Sequence, residues 1–275
     1  MNALFPHLSE ATLKARTYYL SKLGIDKPGD WTVLRDIPRI MESVFSSENV
    51  YTRNTRLSHI LEFLKAIGKV IPEYTRLFDE NYLKFQERKN NNTVESDPQG
   101  HKYRPVPELI ETLKNSKSSP RNRFLVGVYL TMPPMRNDLS GVQVVYKLSD
   151  TTRAGNYLVM SRQPYFYLQQ YKTAGLYGAM KIPLSSYVHE VIRDNPEVMS
   201  VFELSENALS KAVKRASKSV LGTDYTINNY RHMAEMHLQS SPEYSQMTIS
   251  ERTKAHARLA HSHSTGLAYG RVSSS

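Results

Sequence analysis

The run Phe124-Leu-Val-Gly-Val-Tyr-Leu130 has no polar face. A helix that is apolar all round is stable only when protein surrounds it on every side. The segment therefore predicts a buried helix at the centre of a domain. It runs into Thr131-Met-Pro133-Pro134-Met-Arg136-Asn-Asp138-Leu139. The two prolines cannot continue a helix, so Arg136 stands just past the stop, at the mouth of a buried element.

The chain before this point reads as helices. Leu8-Ser9 precedes a helical run that ends near Leu23 and Gly24. Ile37, Ile40, Met41, Val44 and Phe45 mark one face of a second helix. Leu57, Ile60, Leu61, Leu64 and Ile67 recur at helical spacing and form an amphipathic stripe. Gly68 and Pro72 end it, and a fourth helix is expected from Tyr74 to Arg88. Arg53, Arg56, Lys65 and Lys69 are expected on exposed surface, and Arg53 and Arg56 are candidate DNA contacts at the start of the third helix. The polar stretch from Lys89 to Gly100 reads as a linker.

Beyond it, Val106, Leu109, Ile110 and Leu113 mark a helix that precedes the buried one. Val142 to Leu148, Tyr157 to Ser161, Tyr165 to Tyr171 and Met180 to Leu184 read as strands of a small antiparallel sheet. Lys172 then falls at the tip of the last hairpin, in Lys172-Thr-Ala-Gly175-Leu-Tyr-Gly178. Tyr187, Val188, Val191 and Ile192 open a further helix. Leu209, Ala212, Val213, Ala216 and Val220 mark the next, whose other face carries Lys211, Lys214, Arg215 and Lys218. In Thr226-Ile-Asn228-Asn-Tyr230-Arg231-His232, Thr226 or Asn228 can cap a helix. Arg231 is then placed in its first turn, where backbone N–H groups favour an anion. Ser250-Glu251 starts a last full helix, which leads to His261-Ser-His263-Ser-Thr-Gly266 and Tyr269.

Charge narrows the function. Residues 1–100 carry 14 Lys and Arg against 13 Asp and Glu, whereas residues 101–275 carry 22 against 13. Nearly all of the net charge of +10 thus lies in the second part. A concentrated positive field attracts polyanions, because neutralising phosphates releases counterions. Double-stranded DNA is the expected partner, and four cations on one helix face can follow its backbone. The chain has no cysteine, which excludes disulfides and thiolate-bound zinc. No apolar run approaches the ~18 residues that a membrane helix needs. His232 and His237, like His256 and His261, are five apart and so lie on different helix faces. No metal and no cofactor is expected.

Five features occur in a fixed order: an arginine after a buried helix, a lysine at a β-hairpin tip, an Arg-His pair opening a helix, a Leu-x-His-Ser turn, and a tyrosine eight residues after that turn's histidine. In this order they resemble the tyrosine recombinase (phage integrase) family, by motif over residues 107–275 and by architecture over residues 1–95. The resemblance implies a mainly α chain with a small antiparallel β-sheet. An N-terminal helical core-binding bundle (1–95) and a linker (96–106) would precede an α+β catalytic domain (107–275). It matches Arg136 and Arg231 to the family's two active-site arginines, Lys172 to the hairpin lysine, His261 to the third-box histidine and Tyr269 to the nucleophile. The chain departs from the pattern twice. Asn228 replaces the first histidine of the His-x-x-Arg-His box, and Leu139 stands where an acidic residue is usual, with Asp138 the nearest substitute. These departures suggest a divergent, viral or mobile-element branch.

The implied chemistry is attack of a phenol on a DNA phosphodiester, giving a 3′-phosphotyrosyl link and a free 5′ hydroxyl. Arg136 and Arg231 would clamp the non-bridging oxygens, with His261 as a third donor. Lys172 would protonate the leaving oxygen. Asn228 cannot act as the base in the usual way; water, or His232 turned inward, would take the phenolic proton. The resemblance also implies four protomers on two duplexes, independence of metal and ATP, and an intracellular place with DNA, in a prokaryotic cytoplasm or in a nucleus or viral factory. Two other functions fit the same residues: a type IB topoisomerase-like relaxing enzyme, and a decayed recombinase that only binds DNA.

Overall fold

The computed structural model describes residues 2–90, 102–150, 155–259 and 266. The chain divides into two compact units, Met1–Asn91 and Asn92–Ser275. None of the helices among the described residues is long and apolar enough to cross a membrane.

The first unit is helical. Helices α1 (Glu10–Lys22), α2 (Ile37–Phe45), α3 (Val50–Ala66) and α4 (Pro72–Asn90) enclose one core. Their starts are written in the sequence. Ser9, Asp36 and Asn49 each accept a first-turn backbone N–H through the side chain, which satisfies donors the helix itself leaves open. The α3 stripe supplies Leu57, Ile60 and Leu64 to the core, all at most 2% exposed. Tyr74 is buried with its hydroxyl donating to the Leu34 carbonyl at 2.8 Å. Leu34 belongs to a 3-10 segment, Pro28–Arg35, that apolar periodicity does not reveal.

The second unit is built around the predicted buried helix. Helix α5 (Val106–Lys114) leads into α6 (Pro120–Thr131), and every residue from Phe124 to Leu130 is buried. The sheet follows in the order β1 (Gln143–Val145), β2 (Asn156–Val159), β3 (Tyr165–Leu168) and β4 (Met180–Pro183). Then come α7 (Ala174–Tyr177, between β3 and β4), α8 (Ser186–Asp194), α9 (Glu206–Leu221), α10 (Ile227–Gln239), α11 (Pro242–Gln246) and α12 (Ile249–Arg258). Helix α6 packs against α5, α8, α9 and α10. Its only glycine allows one of these approaches: a Cβ on Gly127 would stand 2.9 Å from the Tyr187 ring of α8.

The sheet departs from expectation. β2, β3 and β4 are antiparallel neighbours, but β1 pairs with β2 in parallel, Gln143 opposite Tyr157, so the sheet is mixed. β2 therefore starts at the same end of the sheet as β1 and runs in the same direction. Leu148 to Asp150 form a 3-10 turn rather than the end of a strand.

Candidate active site

The prolines act on the chain as their chemistry dictates. Met132, before Pro133, is extended (φ −130°, ψ 164°), because a residue preceding proline is excluded from helical geometry. The loop that follows is pinned at several points. The Tyr129 hydroxyl donates to the Arg136 carbonyl at 2.9 Å, and the Arg136 N–H donates to Asp138 Oδ2 at 2.8 Å. Ser210 of α9 donates to Asn137 Oδ1 at 2.9 Å. Leu139 is fully buried in the core. A carboxylate at position 139 would be cut off from water.

Asp138 feels both arginines of the motif. Burial pushes its carboxyl above the usual aspartate range, opposed by the Arg136 N–H and by the charges of Arg231 and Arg136. The same field reaches Tyr129, whose phenol is pushed up by its burial and by Asp138 and drawn down by Arg231.

Arg231 is 2% exposed. Thr226 caps α10 and forms a reciprocal pair with Asn229, so the helix begins at Ile227. Arg231 is therefore the fifth helical residue, not a first-turn residue. Asn228 takes the first turn and is exposed. One terminal nitrogen of Arg231 donates to the Pro134 carbonyl at 2.7 Å, and the other to the Leu259 carbonyl at 3.2 Å. This side chain thus ties together the loop that carries Arg136 and the segment that leads to His261. His232 is buried, with its ring stacked near Tyr103 at 6.1 Å.

Lys172 is exposed and shares a cleft of about 720 Å³ with Arg136 and Asp138. It does not stand at the tip of a tight hairpin. β3 ends at Leu168, and the one-turn helix α7 follows Lys172. The buried Asn156 of β2 shapes this connection. Its Oδ1 accepts the Gln169 and Gln170 N–H groups at 3.1 and 2.9 Å, and its amide donates to the Gln170 carbonyl at 2.8 Å. His261 and Tyr269 lie outside the described residues.

A second cluster escapes the sequence motifs. Glu235 and His256 are fully buried, with Oε2 2.9 Å from Nδ1, and His256 Nε2 stands 2.9 Å from the Tyr244 hydroxyl. The signal for it is a glutamate at a core-facing position of α10, since a buried carboxylate demands a partner.

The candidate DNA contacts divide. Lys211, Lys214, Arg215 and Lys218 are all exposed on α9. Lys214 pairs with Asp224 at 3.1 Å, as does Lys102, and Lys218 donates to the Gly222 carbonyl at 2.8 Å. The face therefore has an acidic partner that the helix pattern alone does not show. In the first unit the expected exposure of Arg53 and Arg56 is not found. Both are half-buried and turn inward. Arg53 donates to the Ser47 carbonyl at 2.6 Å, and Arg56 to the Ser43 and Val44 carbonyls at 2.7 and 3.1 Å. These arginines close the C-terminal end of α2, where carbonyls lack helical partners.

Comparison of the chain with protein-family models, curated proteins and solved structures finds no match.

Proposed function

We propose that the chain is a DNA strand transferase of the tyrosine recombinase kind. One observation carries the reading: Arg231 donates to the carbonyl two residues before Arg136 and to the carbonyl two residues before His261. Motifs separated by about a hundred residues of chain thereby converge on one guanidinium. Asp138, whose carboxylate feels both arginines, and Lys172 share the cleft with Arg136.

In this reading the Tyr269 phenolic oxygen attacks phosphorus and the P–O5′ bond breaks. The phenolic proton leaves to water, and Lys172 supplies a proton to O5′. Nothing is oxidised or reduced, and the phosphotyrosyl link conserves the ester for rejoining. Arg136 and Arg231 neutralise charge on the non-bridging oxygens. For Arg231 this means exchanging its bond to the uncharged Leu259 carbonyl for one to an anionic phosphate oxygen, in which donor and acceptor carry opposite charges. Losing one such clamp costs about 10²–10³ in rate.

The test is a nicked suicide duplex followed by a denaturing gel. The wild-type chain forms a covalent adduct, and Tyr269→Phe forms none while retaining duplex binding. An adduct with Tyr269→Phe overturns the nucleophile assignment. A second reading, a DNA-binding protein without chemistry, draws on the burial of Arg231, whose terminal nitrogens are engaged by carbonyls. It requires binding with no adduct from the wild-type chain.

A further inference from the structure

Arg16 of α1 is 6% exposed. Its Nε and Nη1 are buried, and among the described residues nothing hydrogen-bonds to either. The guanidinium lies over the Phe5 ring, with Cζ 4.5 Å from the ring centroid. A ring face attracts a cation, but it does not supply an acceptor for each N–H. Burial draws the Arg16 value down, opposed by the charge of Glu62. An arginine keeps its proton even so. Its buried donors therefore cost free energy until an acceptor meets them.

The surroundings suit an anion. Arg16 and Tyr19 are three apart on α1, and Arg56, His59 and Glu62 follow the same interval on α3, so each set shares a helix face. The two helices pack together. The Tyr19 ring joins the sets: the His59 ring centroid lies 6.2 Å from its own, and Arg56 Cζ lies 5.7 Å from it. His59 Nδ1 is buried and, like the two Arg16 nitrogens, has no hydrogen-bond partner among the described residues. Burial and the charge of Arg16 hold the imidazole below its usual value. A neutral imidazole can still present an N–H at Nδ1. Arg16 and Arg56 against Glu62 leave one positive charge in excess. Arg56, His59 and Glu62 are each half-buried, so the cluster borders solvent.

We infer that the cluster between α1 and α3 binds one small free oxyanion of the phosphate class, with Arg16 and His59 as its donors. Donors from two helices meet an anion from different directions, which suits tetrahedral oxygens better than a flat carboxylate. The enclosure of Arg16 selects a small ion over a duplex backbone. Once bound, the anion ties α1 to α3. The site is independent of the strand-transferase reading.

Hydrogen exchange read by mass spectrometry on the full chain tests it. Inorganic phosphate is compared with chloride at matched ionic strength. At ten times its Kd, phosphate should slow exchange in peptides from α1 and α3 about tenfold, because opening has to release the anion. Unchanged exchange there overturns the site. Duplex DNA in phosphate-free buffer is the second arm. Slowing of these peptides by duplex but not by inorganic phosphate overturns a free ligand in favour of a nucleic-acid backbone. Arg16→Met keeps an apolar chain in place of the guanidinium and should lose the protection by phosphate. Protection that survives this change overturns the assignment. Should Arg16→Met not fold, His59→Leu takes its place. Its phosphate affinity should fall about tenfold or more, the worth of one hydrogen bond to a charged group, and an unchanged affinity overturns the proposed donor set.

Discussion

Glu235 Oε2 stands 2.9 Å from His256 Nδ1, and both side chains are fully enclosed by protein. The pair joins α10 to α12. Removing one member of a buried pair strands the other away from water and costs about 3–5 kcal/mol. Glu235→Ala is therefore expected to lose stability on that scale in urea unfolding. Replacing both, as Glu235→Gln with His256→Leu, should cost less than the two single changes added together. Additive losses would show that the two side chains act independently.

Asp138 gives a pH signature. Its carboxyl is pushed up by burial more than the Arg136 N–H and the charges of Arg231 and Arg136 pull it down. The folded protein thus holds this proton more tightly than the unfolded chain does. The resulting stability is complete below the ordinary aspartate value of 3.8 and is lost as pH rises through the higher folded value. Asp138→Asn removes this dependence and keeps an acceptor for the Arg136 N–H. Between about pH 4 and 7 the variant should lose less stability than the wild-type chain, as read from urea midpoints across a pH series. Parallel curves for the two proteins would count against a raised Asp138.

Gly127 is a test of packing at the centre of the second unit. Alanine is a better helix former by about 1 kcal/mol. Its methyl would stand 2.9 Å from the Tyr187 ring, and overpacking a core costs about 1–3 kcal/mol. The steric clash should win, so Gly127→Ala is expected to be destabilising. Trimming the ring with Tyr187→Leu should recover part of the loss. A stabilised Gly127→Ala would show that α8 can move away freely.

The sequence is most informative where one local rule has no competitor. Phe124 to Leu130 has no polar face and has to be buried. Pro133 and Pro134 have to stop the helix, which places Arg136 at its mouth. The α3 stripe from Leu57 to Leu64 marks a core face in the same way. What stays hidden depends on direction or on distant partners. An alternating strand pattern around Val144 reads the same whether its neighbour runs parallel or antiparallel. Arg53 and Arg56 look like surface cations because nothing local reveals that the end of α2 lies beside them. Glu235, Tyr244 and His256 are 9 and 12 residues apart along the chain, so only the fold assembles them. Two adjacent asparagines follow Thr226, and the capping partner is Asn229 rather than Asn228. That choice places Arg231 fifth in the helix, where a cap at Asn228 would have placed it third.

Asp224 offers a direct test of the basic face. Hydrogen bonds from Lys102 and Lys214 hold its carboxyl down to about 2. Because the folded value is depressed, the stability from this group is present above 3.8 and is lost as pH falls toward about 2. The group is exposed, so the effect on folding near neutral pH should be small. Its effect on a polyanion should be larger. Asp224→Asn removes one negative charge and releases the ammonium groups of Lys102 and Lys214. If α9 tracks a DNA backbone, the variant binds duplex more tightly at low salt. Its affinity should also fall more steeply with salt, the slope steepening by about 0.9 for each additional phosphate neutralised. Fluorescence anisotropy of a labelled duplex across a salt series measures both quantities. An unchanged slope would place the DNA-binding surface elsewhere on the chain.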